Sequence, residues 1–438
     1  MTEKTLQKKG LFGWYFGTNL LARILAGLIL GAIVGIILGF FPEYAAVFID
    51  YTKFFGDLFI RLLKMIVVPV ILFSLITGAA SIAPEKLGRV GVKTLLFYMA
   101  TTLVAVAVGL GIATWLQPGL GMDVVGASGA VGKTSASPPL SEILLNIVPT
   151  NPVESLAKGD VLPIIFFALV FGIALAILKE SKDETIANQA NIVFKACAGC
   201  AEIIYKVVGG IMQYAPIGVF FLIAIVFAQQ GPKVIGPLLF VTLAVYLALF
   251  LHLVLCYGGL LKLNGLGFVR FIRGAQEAMI TSFVTRSSSA TVPVSMRVSD
   301  DNLGVPRSIS SFVLPIGATI NMNGTAIYIA VCAMFIGFAI GQPLTYDQQF
   351  VVMITATLAA VGTAGVPGAG ALMLIMALES VGLNLEAGSA VAACYAMVLG
   401  IDALLDMGRT SMNVTGDIVG AVLVSKSEKS LEMEKWRN

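Results

Sequence analysis

The sequence has 438 residues, 58% of them apolar and only 12% charged; 28 Lys and Arg against 25 Asp and Glu leave a net charge of +3. Soluble domains carry roughly 25% charged residues, so a water-soluble globular protein is excluded. A disordered chain needs low hydrophobicity, and a nucleic-acid binder shows a dominant basic footprint; neither fits. The expected class is an all-α polytopic membrane protein.

Residues 1–14 are polar and basic, and no small-residue cleavage site follows the first apolar run, so no cleavable signal is read here. A membrane helix needs about 20 apolar residues to cross a core of roughly 30 Å. Runs over 20–41, 54–82, 93–116, 163–178, 192–227 and 235–261 predict six crossings before residue 262. Lys4, Lys8 and Lys9 precede the first, Lys86, Arg89 and Lys93 lie between the second and third, Lys262, Arg270 and Arg273 follow the sixth, and Lys426, Lys429, Lys435 and Arg437 end the chain. The alternate loops hold only Lys53, Lys133 and Lys233. The positive-inside rule therefore predicts cytoplasmic termini. The stretch 119–139, rich in Gly, Ser and Pro, reads as an external loop, either a hinge or a partner-facing boundary.

Cys197, Cys200, Cys256, Cys332 and Cys394 sit in apolar runs and read as free thiols in helices. Cys197 and Cys200 form a CxxC, but no second Cys pair or His cluster could complete a metal site. The single histidine, His252, reads as a satisfied buried imidazole.

Beyond residue 262 the apolar runs are broken. Thr285-Arg286-Ser287-Ser288-Ser289 interrupts 278–298, Asn321-Met322-Asn323-Gly324-Thr325 interrupts 311–340, and a Gly-rich run at 362–370 interrupts 350–383. Irregular backbone at membrane depth survives only where protein or a watery cavity satisfies its amides, so the breaks imply a polar site inside the bilayer. The first and third read as tips of re-entrant hairpins: about 12 residues, or roughly 18 Å of helix, precede the Gly-rich tip. Arg270, Arg273, Arg297 and Arg307 place both ends of the first hairpin inside, and parity brings the second in from outside. Such an arrangement is expected of inverted repeats with the site at their interface.

The last helix carries Asp402, Asp406, Arg409, Asn413 and Asp417 at steps of 4, 3, 4 and 4 residues. At 3.6 residues per turn they fall within about 80° of one face. Each ionised group at the bilayer centre costs about 2.5 to 3.5 kcal/mol. Three acids against one base leave negative charge over, for which bound cations are the natural counter-charge.

The run Arg286-Ser287-Ser288-Ser289, NMNGT at 321–325, GTAGVPGAG at 362–370 and GIDALLDMGRTSMNVTGD at 400–417 closely resemble the sodium:dicarboxylate symporters, which include archaeal aspartate and animal excitatory amino-acid transporters. The resemblance covers essentially the whole chain. It implies eight transmembrane helices, two re-entrant hairpins, and a homotrimer moving substrate by an elevator motion. Scaffold would be 15–92 and 141–234, the mobile transport domain 93–140 and 235–425, and the cytoplasmic tail 426–438.

By the same resemblance, an acidic amino acid, aspartate or glutamate, binds between the hairpin tips. Asp406 takes its ammonium and Arg409 forks onto its side-chain carboxylate, a bidentate match that Lys cannot reproduce. Ser287, Ser288, Ser289, Thr325, Val366, Gly370, Thr410 and Asn413 complete the site. A plain dicarboxylate would leave Asp406 unpaired and buried. One sodium site would use Asp417, Asn321, Asn413 and Gly317; a second, Thr319, Ala360, Val361 and Thr363; a third, Tyr98, Thr101, Thr102, Asn321 and Asn323.

Here the chain departs from the family pattern: NMDGT is usual, and Asn323 stands where the acid belongs, while Ala360 replaces a common serine. At an effective dielectric of about 20, a charge pair a few ångströms apart is worth about 4 kcal/mol. The third site is therefore expected to be weak or empty, with sodium coupling by fewer ions; proton coupling is the rival. Two enzyme readings fit worse. Asp402 and Asp406 are one turn apart on one helix, a poor grip on a water for an aspartyl hydrolase, and a serine hydrolase needs a base near Ser287 to Ser289 where His252 is the sole imidazole. A channel needs no closing hairpins. The two N-x-S/T sites, at Asn323 and Asn413, fall inside the expected membrane segments, which suits a prokaryotic plasma membrane.

Overall fold

The computed structural model describes residues 18, 20–80, 87–122, 124, 145, 147–360, 363, 365, 367–386 and 389–436, and every regular element among them is helical. In chain order these are α1 (Leu20–Gly39), α2 (Pro42–Ala80), α3 (Val92–Leu116), α4 (Pro152–Lys158), α5 (Val161–Lys179) and α6 (Glu184–Gln230). Then follow α7 (Ile235–Leu251), a π-helical run His252–Gly258 leading into α8 (Gly259–Leu263), α9 (Phe268–Thr285), α10 (Ser288–Asp301), α11 (Arg307–Ile320), α12 (Asn323–Ala339), α13 (Tyr346–Ala360), α14 (Ala369–Ser380) and α15 (Ala390–Ser427). Among the described residues, seven helical runs are long and apolar enough to cross a membrane; 163–179 is a shorter apolar helix. The chain is thus a helical membrane protein. Most of the expected external loop 119–139 lies outside the described residues.

Two helices begin well before their apolar runs. The second starts at Pro42 rather than 54, and the fifth expected span at Glu184 rather than 192. Apolar windows see only the part that lipid or protein covers; at α6 a cap sets the true start, for Asp183 Oδ1 accepts from the Thr185 and Ile186 amides.

The helices sort into two sets. In one, α1, α2 and α5 gather round α6. Gly27, Gly31 and Gly35 place α1 so close to α6 that a Cβ would lie 2.4 to 2.5 Å from the carbonyl oxygens of Pro216, Phe220 and Ala224. Matching four-residue steps in the same direction make the two helices parallel, joined by the small-residue packing membranes favour. The other set, α3 and α7 to α15, is built round α12 and α15, both buried along nearly their whole length.

All three sequence breaks are real breaks in the helices. At the first, Arg286 adopts φ 54° and Ser287 caps α10, its hydroxyl accepting from the Ala290 amide at 3.2 Å; α9 and α10 fold back on one another. At the second, Asn321 and Met322 separate α11 from α12. At the third, α14 starts after Gly368, which has φ 83° and caps it, and packs against α13. Positive φ is ordinary for glycine but strained for arginine.

The chain end is fastened down. Arg270 Nε donates to the Lys435 carbonyl, Trp436 Nε1 to the Leu303 carbonyl and the Glu432 amide to the Gly304 carbonyl, tying both arms of the α9–α10 hairpin at their base. Glu428 meets Lys93 and Arg89 at the start of α3. The Lys93 hydrogen bond holds the Glu428 carboxyl below the ordinary glutamate range, so this tie is present above that range and is lost as pH falls through the lowered value.

The five cysteines are free thiols, as expected. His252 is buried, but among the described residues neither ring nitrogen has a hydrogen-bond partner, so the satisfied imidazole is corrected: its neighbour is the Tyr257 ring, edge-on at 4.7 Å.

Candidate functional site

The stripe predicted on the last helix is buried: Asp402, Asp406, Arg409, Asn413 and Asp417 are each 5% exposed or less. Helical spacing lets Arg409 reach two acids of its own helix. Its Nη1 lies 3.2 Å from Asp402 Oδ1, and its Nη2 2.8 Å and Nε 3.0 Å from Asp406 Oδ1. The guanidinium also sits 4.5 Å from the centre of the Tyr328 ring, a cation–π contact. Gly370, at the start of α14, leaves room for it: a Cβ there would lie 2.3 Å from Arg409 Nη1.

Asp406 is the hub. Besides Arg409 it accepts from Thr410 Oγ1 at 3.0 Å and from the Gly368 amide at 3.2 Å, and Arg286 Nη1 stands 4.0 Å away. This corrects the charge count of the stripe. Arg286 arrives from the first hairpin tip, so Asp402 and Asp406 face two guanidinium groups rather than one. A lone base in a broken membrane segment was the available signal; its partner was not readable from α15.

The two hairpin tips touch. Ser287 Oγ donates to the Gly365 carbonyl at 2.7 Å, and the Ser289 amide to the same oxygen at 3.3 Å. Ser287 and Ser289 therefore hold the tips together, while Ser288, Thr325, Gly370, Asp406, Arg409 and Asn413 line a small void of about 10 Å³. Thr410 lines it too. Asn413 spans the break between α11 and α12: its Oδ1 accepts from the Gly324 amide at 2.8 Å and its Nδ2 donates to Thr325 Oγ1 at 3.3 Å. Val366, like Val361, lies outside the described residues.

Gly324 allows α12 to lie against α15: a Cβ there would be 2.1 Å from the Arg409 carbonyl oxygen. Gly324→Ala is expected to force the two helices apart, destabilising the protein by about 1 to 3 kcal/mol and moving Arg409. A lower melting temperature with weakened substrate binding, in calorimetry of the detergent-purified protein, is the expected result.

One turn beyond Asn413, Asp417 makes no ion pair among the described residues; its Oδ1 accepts from Asn321 Nδ2 at 2.9 Å. Asn321 Oδ1 is fully buried without a hydrogen-bond partner among the described residues. Gly317 opens the same spot, for a Cβ there would lie 2.5 Å from both Asp417 Oδ1 and the Tyr98 hydroxyl. A buried carboxylate, an orphaned amide oxygen and a phenol oxygen form a hard-oxygen set with negative charge, which fits an alkali cation and not a soft metal.

Asn323 is placed differently. Its Oδ1 accepts from Thr102 Oγ1 at 2.6 Å and its Nδ2 donates to the Tyr257 hydroxyl at 2.7 Å, a set of neutral partners. Tyr257 is a partner that sequence reasoning missed, since nothing separated it from an ordinary core aromatic. The Tyr98 hydroxyl donates to the Val313 carbonyl, while the Thr101 and Thr102 hydroxyls lie 3.2 and 2.7 Å from the Tyr98 carbonyl, so Tyr98, Thr101, Thr102 and Asn323 of the expected third set lie side by side. In the expected second set, the Thr319 and Thr363 hydroxyls bond to the Ile316 and Ala359 carbonyls of their own chain segments, and Ala360 is buried.

A helical membrane bundle in which broken helices close over a buried, charged stripe is the architecture of a secondary transporter. Sequence comparison agrees. The chain belongs to the sodium:dicarboxylate symporter family, whose profile matches residues 20–427. It is 35% identical over 399 residues to a proton/sodium-glutamate symport protein of Geobacillus stearothermophilus, covering 88% of this chain and 90% of that one. Identity to a proton/glutamate-aspartate symporter of Escherichia coli (strain K12) is 35% over 392 residues, 87% and 86% of the two chains. The human neutral amino acid transporter B(0) is 34% identical over 425 residues, 87% of this chain and 74% of its own. The protein is accordingly a symporter of this family and not an enzyme.

Proposed function

We propose that the protein carries an acidic amino acid, aspartate or glutamate, across a cell membrane together with sodium. The observation that carries this reading is Arg409 lying beside Asp406 under two touching hairpin tips. A void of about 10 Å³ holds no amino acid, so substrate enters when the tips part. Arg409 then leaves the α15 acids for the side-chain carboxylate of the substrate, and Asp406 accepts its ammonium. Asp402 keeps the arginine oriented, and Arg286 covers the charge Arg409 gives up. Ser287, Ser288, Ser289, Thr325, Val366, Gly370, Thr410 and Asn413 supply the remaining polar contacts. A neutral substrate would leave Arg409 without its new partner, a buried-charge penalty.

Asp417, Asn321, Asn413, Gly317 and Tyr98 would hold one sodium ion, and the backbone near Thr319, Ala360, Val361 and Thr363 another once the second hairpin closes. Asn323, Thr101 and Thr102 would hold a third ion weakly or not at all. The α9–α10 and α13–α14 pairs act as re-entrant hairpins from opposite sides, giving eight crossings with α5 as the fourth and both termini cytoplasmic. The set round α6 is the scaffold of a homotrimer, and the set round α15 the part that moves as an elevator.

Proton coupling is the second reading, favoured by the neutral network at Asn323. Uptake of labelled aspartate into proteoliposomes separates the two. Accumulation driven by an inward sodium gradient at equal pH is expected; accumulation that ignores sodium and collapses with the pH gradient overturns the sodium reading.

A further inference from the structure

Lys64 is a charge in the wrong place for a helix of a membrane scaffold. It lies 22 residues into α2, about 33 Å along it, in a turn whose neighbours Ile60, Leu63, Ile66 and Val67 are buried. An ionisable group within a membrane helix is functional by default, and the first question is its partner. Its Nζ stands 3.6 Å from Glu379 Oε1 near the end of α14, with side-chain exposures of 34% and 23%. The pair lines a cavity of about 710 Å³ that also takes in Asn151, Glu154, Lys158 and Asp160 from around α4.

This ion pair crosses the seam between the two helix sets. At two other points among the described residues the seam is apolar: Gly400 of α15 lies against Leu28 of α1, and Gly368 at the second tip against Met212 of α6. Apolar surfaces slide with little preference for register, whereas an ion pair has one favoured position. Glu379 and Gly370 share α14, nine residues or about 14 Å apart, so what holds Glu379 also holds the residue that borders the Arg409 guanidinium.

We propose that Lys64 is a positioning residue for the second hairpin: its ammonium anchors Glu379 and with it the α14 arm against α2 in the conformation seen here, and the pair breaks and re-forms in each transport cycle. The proposal rests on the reading of the α15 set as the moving part. Its cavity lets water reach both charges as they separate, which keeps the break from stranding a bare ion in the bilayer.

The test is a charge-swap series in proteoliposomes: Lys64→Glu, Glu379→Lys and the double variant, against the native protein. Each single variant is expected to change the maximal rate of aspartate exchange by 3- to 10-fold with aspartate affinity changed less than 3-fold, and the swap to return the rate to within 2-fold of native. Rates that stay native in the single variants, or a swap no better than the two singles combined, overturn it. Melting temperatures of the same four proteins keep this apart from the functional reading. If the native protein carries no aspartate, that reading falls; non-additive melting shifts then support the Lys64–Glu379 anchor, and additive ones overturn it.

Discussion

Arg409→Ala is expected to lower aspartate affinity by at least roughly 100-fold. Removing one member of a buried charge pair costs about 3 to 5 kcal/mol, and here the loss falls twice. The substrate carboxylate loses its bidentate partner, and Asp402 and Asp406, both 5% exposed or less, lose the guanidinium that compensates them. Because the second effect threatens the fold, Arg409→Lys is the sharper variant. It keeps the charge but not the planar fork that reaches both acids, so the protein should melt near the native temperature while acidic-substrate affinity still drops at least 10-fold. Calorimetric titration with aspartate measures both. Native affinity in the lysine variant would remove Arg409 from the carboxylate role.

The second large effect concerns coupling. Asp417→Asn replaces the carboxylate beside the orphaned Asn321 oxygen with a neutral group of the same size. A charge contact at a few ångströms is worth about 4 kcal/mol at an effective dielectric of 20, enough to empty a sodium site at ordinary concentrations. Aspartate affinity measured against sodium concentration should therefore lose about one unit from its log–log slope, with residual binding only at high sodium. An unchanged slope would put the ion elsewhere. The neutral hydrogen bonds of Asn323 lead to a smaller expectation for the native slope, namely fewer than three ions.

Much of this was legible in the sequence because the signals are local. The stripe on α15 follows from spacing along one helix, and burial of all five members agrees with the expense of charges in a bilayer. The breaks at Arg286, Asn321 and Gly368 were readable because Gly, Asn and Ser runs do not continue apolar helices, and the structure interrupts the helices at those points. Helix starts were less legible: Pro42 and Glu184 both precede the apolar runs read for their helices, and at Glu184 the Asp183 cap rather than hydropathy decides.

What the sequence by itself determined is the class of protein and the position of its chemistry along the chain: apolar runs, broken where polar groups must be satisfied, and a charged face on the last helix. Only the tertiary structure decided which polar groups meet. Arg286 reaches Asp406 across 120 residues, Tyr257 accepts from Asn323, Ser287 bonds the second tip at Gly365, and Lys64 finds Glu379 across the seam. The reason is physical: spacing fixes which residues share a face of one helix, whereas pairing between helices depends on how close they pack, and glycines such as Gly324 and Gly370 set that distance without a charge or a period of their own.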